Sequence, residues 1–332
     1  WLKTFSLQHT RVVILHTRNC RMAGASTSVT DVIIIGGGIA GLACGVSLKE
    51  KGVSVQIYEK AKSMLPIGAA IGLFPNGLAA IKGISPNLFE KVIAASVGTD
   101  RLQTWNLQNE LVREVDATSM GSSAPRYLVW YLLQKFLRES LSDDVVNMGY
   151  TFISCSVDEA TGLVHVTLLD RNTSCKHERQ CRVLIGADGV KSSVRDAIFP
   201  GEELGAQTFY GKMMFRSVVP ETLVDPTVYP TKGIAVSYLG EEAGKLFSYH
   251  VTADGIMTVT AMALFDQPAP LLPGDKSKER LKEIFAEFPV SVQSIIESIP
   301  PTSIFENAVA DIEVGHAGQE GQLCSSEMQY IR

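Results

Sequence analysis

Residues 32–59 read VIIIGGGIAGLACGVSLKEKGVSVQIYE, and no other part of the chain constrains the architecture as tightly. Four apolar residues run into Gly36-Gly37-Gly38-Ile39-Ala40-Gly41. A helical pattern follows, then a second apolar run at residues 53–57 closed by Glu59. Strand, glycine turn, helix, strand and terminal acid stand in the order and length of a dinucleotide-binding βαβ unit. Gly36 permits a tight turn off the strand, and Gly38 lets the backbone approach a pyrophosphate with no Cβ in the way. Gly41 allows the helix to pack closely on the sheet. The helix N-terminus offers unpaired N–H groups and partial positive charge to the phosphates. Glu59, 18 residues beyond Gly41, stands where a carboxylate accepts hydrogen bonds from an adenosine ribose. A carboxylate there repels a 2′-phosphate, so FAD or NAD is expected over NADP.

The chain is 332 residues long, which suits one large domain or two intimately packed ones. It is 45% hydrophobic and 20% charged with a formal net charge of −5, an ordinary globular composition that gives no footing for nucleic acid. The longest apolar stretch, residues 32–46, is glycine-broken and too short to span a bilayer, so no transmembrane segment is expected. The cysteines (Cys20, Cys44, Cys155, Cys175, Cys181, Cys324) form no C-x-x-C pair and no His-linked metal spacing. Reduced thiols, an intracellular compartment and no metal site are the expectation. Cys44, inside the first helix, reads as a small buried thiol. Residues 1–30 carry Lys3, Arg11, Arg18 and Arg21 but no acid. That is the composition of an organelle transit peptide, although residues 1–21 read equally as translated sequence upstream of Met22. A leader or disordered segment over residues 1–30, and a cytoplasmic or organellar (plastid or mitochondrial) location, are expected.

A second signal lies at residues 183–189, VLIGADG, followed by VKSSVR. An apolar strand ends at Asp188-Gly189, a helix starts near Ser192, and Arg195 lies in its first turns. Polar ligands bind at such strand ends in open α/β sheets. Alone, an Asp-Gly turn reads equally as a plain strand-to-helix connection. Together the two motifs resemble the group A flavoprotein monooxygenases, the family of para-hydroxybenzoate hydroxylase, salicylate hydroxylase and zeaxanthin epoxidase. The resemblance implies that Asp188, Gly189, Ser193 and Arg195 touch FAD and its nicotinamide donor. Gly68 opens GAAIGLFPNG, similar to the family's stretch along the flavin. Arg126 opens RYLVWYLL and resembles the family's FAD-contacting arginine ahead of a helix; a snorkelling arginine at a helix start has the same signature. Lys60, beside Glu59, joins the candidate cofactor-binding set. Tyr210-Gly211 with Phe215-Arg216 resembles the start of the family's substrate-domain sheet.

The resemblance runs from about residue 31 to residue 313 and implies an α/β fold. A Rossmann-like FAD-binding domain is expected over residues 31–97 and 116–204. A second, mainly antiparallel β-sheet substrate domain is expected over residues 98–115 and 205–305. Strand-like runs at residues 212–219, 233–238, 245–251 and 256–265, then a helical stretch at 276–287, come without βα alternation and independently suggest an antiparallel sheet. A further Gly-Asp FAD motif is expected after residue 313. The sequence there reads EVGHAGQEGQ, with no aspartate, so residues 314–332 are expected to be an atypical tail lacking that motif. The activity implied is FAD-dependent monooxygenation. NAD(P)H and O2 are consumed while a small aromatic or isoprenoid substrate is hydroxylated or epoxidised, with the chemistry carried by the cofactor. No catalytic side chain is nominated, and His250 and His316 read as satisfied or surface histidines. Three rivals stand beside this reading. One is an FAD-linked reductase or dehydrogenase that never uses oxygen. Another is an NAD-dependent dehydrogenase, which leaves Asp188 through Arg195 unexplained. The third is a truncated, inactive FAD-binding protein.

Overall fold

The computed structural model describes residues 13–16, 29–65, 69–119, 124–200, 207–241, 244–253, 255–312 and 323–325. After a short strand β1 (Val13–His16), the glycine-rich stretch folds as β2 (Thr30–Ile35), α1 (Ile39–Lys49) and β3 (Val55–Glu59). Next come β4 (Ala70–Leu73), α2 (Pro75–Ile84), α3 (Pro86–Ala95) and β5 (Val97–Gly98). A hairpin of β6 (Arg101–Trp105) and β7 (Leu111–Asp116) precedes β8 (Arg126–Val129), α4 (Trp130–Glu139) and β9 (Val146–Met148). A meander of β10 (Tyr150–Val157), β11 (Val164–Asp170) and β12 (Lys176–Gly186) leads into α5 (Ser193–Ile198). Then follow β13 (Gln207–Pro220), β14 (Ile234–Leu239), β15 (Leu246–Val251) and β16 (Ile256–Leu264). Helices α6 (Gly274–Ile284) and α7 (Val290–Ser298) come before β17 (Phe305–Ile312) and β18 (Leu323–Ser325).

Three sheets result. The first runs β10-β11-β12-β2-β3-β9, parallel from β12 to β9 and antiparallel in the meander. From Val32 to Ile35 its β2 is apolar at every position because both faces are covered there. Val32 and Ile34 pack with Leu42 of α1 and Leu133 and Leu137 of α4, while Ile33 and Ile35 pack with Val164, Val166 and Leu168 of the meander. The ends of the chain depart from expectation. Strand β1 pairs antiparallel with β12, Val13 opposite Gly186, and β18 pairs with β1. Part of the expected leader and part of the expected tail therefore belong to this sheet; residues 1–12, 17–28, 313–322 and 326–332 lie outside the described residues.

The second sheet runs β17-β13-β16-β15-β14-β6-β7, antiparallel throughout except β14 beside β6. The β6–β7 hairpin joins it beside β14, and β17 joins it beside β13. One face carries the core. Phe215, Phe247, Tyr249 and Val259 pack against Leu281, Phe285, Val292 and Ile295 of α6 and α7. A small third sheet, β4-β8-β5, forms the rim of the first domain that meets the opposite face of the second sheet.

Strand β17 is tied to α6 by a buried carboxylate. Glu306, with a side chain only 2% exposed, accepts from Arg280 Nη1 at 2.9 Å and from Ser277 Oγ at 2.5 Å. Removing one partner of such a pair strands the other charge. Glu306→Ala is expected to cost about 3 kcal/mol, read as a lower urea midpoint with an unchanged m-value.

Candidate functional site

Two loops meet at the carboxyl ends of β2 and β12. Gly36 has φ +109°, and a Cβ there would lie 2.3 Å from the Ala187 carbonyl oxygen. A Cβ on Gly41 would lie 1.9 Å from the Gly36 carbonyl oxygen. Both positions exclude every side chain. Gly38 differs, since a Cβ there would meet nothing within 4 Å. It begins α1 with extended backbone and no side-chain cap, so the first-turn N–H groups, which lack intrahelical acceptors, are open to an anion on that side. Glu59 Oε2 accepts from the Gly37 N–H at 2.6 Å and Oε1 from the Ala61 N–H at 2.8 Å. A carboxylate accepts about four hydrogen bonds, which leaves room for ribose hydroxyls. Lys60 is exposed, and its carbonyl accepts from Arg171 Nη1 at 2.8 Å. Gly68 and His316 lie outside the described residues.

The second loop holds itself together. Asp188 turns its carboxylate onto α5, accepting from the Ser192 hydroxyl at 2.5 Å and the Val194 N–H at 3.2 Å. Ser192, rather than Ser193, caps α5 by accepting from the Arg195 N–H at 3.0 Å. Buried Arg195 donates Nη1 to the Val190 carbonyl at 3.0 Å and pairs with Asp196. Gly189 adopts φ +85°, which only glycine takes readily. Asp188, Gly189 and Arg195 thus form one rigid turn packed against the glycine loop through Ala187.

Arg126 lies ahead of α4, which begins at Trp130, and opens the intervening strand β8. Register places it opposite Leu73 and Gly98, on the face turned to the domain core, while Tyr127 lies opposite Gly72 and Val97 on the other face. Its guanidinium accordingly caps the end of α3, donating to the Ile93 and Ser96 carbonyls at 3.1 and 2.9 Å and to Ser96 Oγ at 2.8 Å. The side chain that α4 sends to the glycine loop is Gln134, whose Nε2 donates to the Gly37 carbonyl at 3.0 Å. No motif marks Gln134; the contact spans 97 residues and depends on how α4 packs beside α1.

Above the rim, Tyr127 packs against His250 of β15 with ring centroids 3.9 Å apart and planes tilted by 38°. Gly72 makes room for that ring, because a Cβ there would lie 2.9 Å from Tyr127 Cε1. His250 Nε2 lies 2.8 Å from Thr258 Oγ1, and burial holds its pKa down at about 4 against an ordinary 6.5. Burial pushes the Cys44 thiol up to about 11 and Cys181 up to about 12, so neither is a thiolate nucleophile at neutral pH. Among the described residues no group of three His, Cys, Asp or Glu is placed to hold a metal, and no helix is long and apolar enough to cross a membrane.

Fold and loops together define a dinucleotide-binding α/β protein roofed by a second sheet. The chain belongs to the FAD-dependent aromatic-ring monooxygenase family, for the profile described as "FAD binding domain" matches residues 29–295. It is 27% identical over 288 residues to the dual trans-enoyl reductase/FAD-dependent monooxygenase tazHJ of Aspergillus terreus, covering 83% of this chain and 40% of that one. To the salicylate hydroxylase of Pseudomonas putida it is 26% identical over 295 residues, covering 82% and 65%. The chain thus spans less than two thirds of the length of either relative. Among solved structures it resembles Klebsiella pneumoniae HpxO complexed with FAD and uric acid, with TM-score 0.69 and 22% identity over 86% of this chain and 69% of that one, a likeness of fold. FAD is the family's cofactor, and the residues present fit its adenosine diphosphate half. The Gly38 side of the loop is open, α1 presents its N-terminus, and Glu59 keeps acceptor capacity.

The lowered pKa of His250 has a consequence for acid stability. Its folded pKa of about 4 lies below the unfolded 6.5, so the unfolded chain binds the extra proton between those values and stability falls as pH drops through that window. The loss approaches about 3 kcal/mol below pH 4. His250→Phe keeps a ring against Tyr127 and is expected to flatten this part of the stability–pH curve, measured by urea melts between pH 7 and pH 4.

Proposed function

We propose that this chain is the FAD- and substrate-binding body of a monooxygenase that uses NAD(P)H and O2 to hydroxylate a small, oxygen-rich aromatic ring. The observation that carries the reading is a row of polar side chains across the second sheet. Strand register sets Arg216, Thr260, Ser248, Ser237 and Thr104 side by side on five neighbouring strands. Because side chains alternate between faces, this row shares the face of His250, away from the core formed with α6 and α7. It therefore looks toward the Tyr127 rim. Arg216 is steadied by Asn307 Oδ1 at 2.8 Å.

Half-buried hydroxyls and an exposed guanidinium on one sheet face suit a ligand bearing carboxylate, phenol or ring-carbonyl oxygens. An isoprenoid hydrocarbon would desolvate them while offering no hydrogen-bond partner in return, so the row favours oxygen-bearing aromatic substrates. The names of the relatives, a salicylate hydroxylase and an FAD-dependent urate hydroxylase of Mycolicibacterium vanbaalenii, agree with that choice. When bound, FAD supplies the relay of two electrons from NAD(P)H that lets one oxygen atom of O2 enter the ring while the other leaves as water. The chain's residues supply binding and order. The Gly36–Gly41 loop and α1 hold the diphosphate, Glu59 holds the ribose, Arg216 orients an anionic substrate, and the roof shields the cleft from water.

Oxygen uptake and NAD(P)H consumption, with mass spectrometry of the products, test this on a panel of aromatic acids and isoprenoids. Oxygen-dependent turnover of an aromatic acid is expected, with Arg216→Leu raising KM at least tenfold and changing kcat less. NAD(P)H oxidation that ignores oxygen would point to the reductase class instead, and a preference for isoprenoids would contradict the assignment of the polar row.

A further inference from the structure

We propose that Gln134 is a positioning residue for the diphosphate site, acting by locking the orientation of the Gly37–Gly38 peptide; the proposal rests on the FAD-binding reading of the glycine loop. The argument starts from the backbone. A peptide flanked by two glycines has no Cβ to resist a flip that reverses its carbonyl and its N–H. Two such peptides follow one another here, Gly36–Gly37 and Gly37–Gly38, and each carries one side-chain tether. Glu59 holds the first by accepting from the Gly37 N–H at 2.6 Å. Gln134 holds the second by donating to the Gly37 carbonyl at 3.0 Å.

The second tether faces the ligand. No peptide in the described chain is cis, so the Gly37 carbonyl and the Gly38 N–H point in opposite directions. Pinning the carbonyl toward α4 therefore turns the Gly38 N–H away from α4, beside the position where a Cβ would meet nothing within 4 Å. If the peptide flipped, a carbonyl oxygen would replace that donor and face the diphosphate with like charge. Gln134 suits this task because its amide donates without bringing charge. A glutamate there has no donor and adds a negative charge beside the anion.

The test measures ADP, FAD and riboflavin binding to the full chain by calorimetry, alongside the thermal midpoint of the ligand-free protein. Wild type is expected to bind ADP and FAD. Gln134→Leu is expected to weaken both about tenfold, the scale of one hydrogen bond, Gln134→Glu more than that, and Gln134→Lys, which restores a donor, is expected to recover binding. Riboflavin, which lacks the diphosphate, should respond to none of these changes, and the ligand-free midpoint should stay within a few degrees. A Gln134→Leu protein that binds ADP as wild type does would overturn the proposal while leaving the FAD-binding reading intact. So would parallel losses of ADP affinity, riboflavin affinity and thermal midpoint, which would make Gln134 a packing residue. A wild type that binds neither ADP nor FAD would overturn the FAD-binding reading and this proposal with it.

Discussion

The contact of Gly41 with the Gly36 carbonyl, where even a methyl group would come within 1.9 Å, sets the spacing between β2 and α1. A helix that close brings its N-terminus to the strand end, and the partial positive charge there is felt only within about the first turn. Gly36 makes the matching contact on its other side, against the Ala187 carbonyl, so the exits of β2 and β12 are locked at backbone distance. The phosphate loop and the Asp188 turn are therefore one body. Neither can move without opening a gap that only backbone atoms fill.

Much of this was legible in the sequence because it rests on local rules. Glycine positions, the apolar periodicity of β2 and β3, and the acid at Glu59 each report a backbone constraint within thirty residues. The four strand runs between residues 212 and 265 lie close to the observed β13 to β16 for the same reason. Arg126 shows where such reading stops. Its motif puts it ahead of a helix, but only strand register decides which face of β8 its side chain takes. Gln134 was invisible for a different reason, since its partner is a glycine carbonyl, which no residue type advertises. Strand β17 escaped notice because FENAVADI alternates too weakly to stand out from a loop.

The roof follows the same logic of faces. In the second sheet, alternation sends Phe247 and Tyr249 to the α6–α7 core and leaves Ser248 and His250 on the cleft side. The cleft face is thus built from residues that the core could not accept. His250 is the exception that shows the cost. It is kept neutral by burial and satisfied by Thr258, and its ring fills the joint against Tyr127 rather than serving as an acid or base.

Of the three glycines in the fingerprint, Gly36 and Gly41 make close backbone contacts, and Gly38 opens onto free space. An FAD titration of Gly38→Ala, at a ligand-free thermal midpoint shown to match wild type, separates these roles most directly. With φ −72° and ψ 178° at Gly38, alanine is conformationally acceptable, so stability should be kept while FAD affinity falls at least tenfold. Unchanged FAD affinity in that variant would contradict the placement of the diphosphate against the loop.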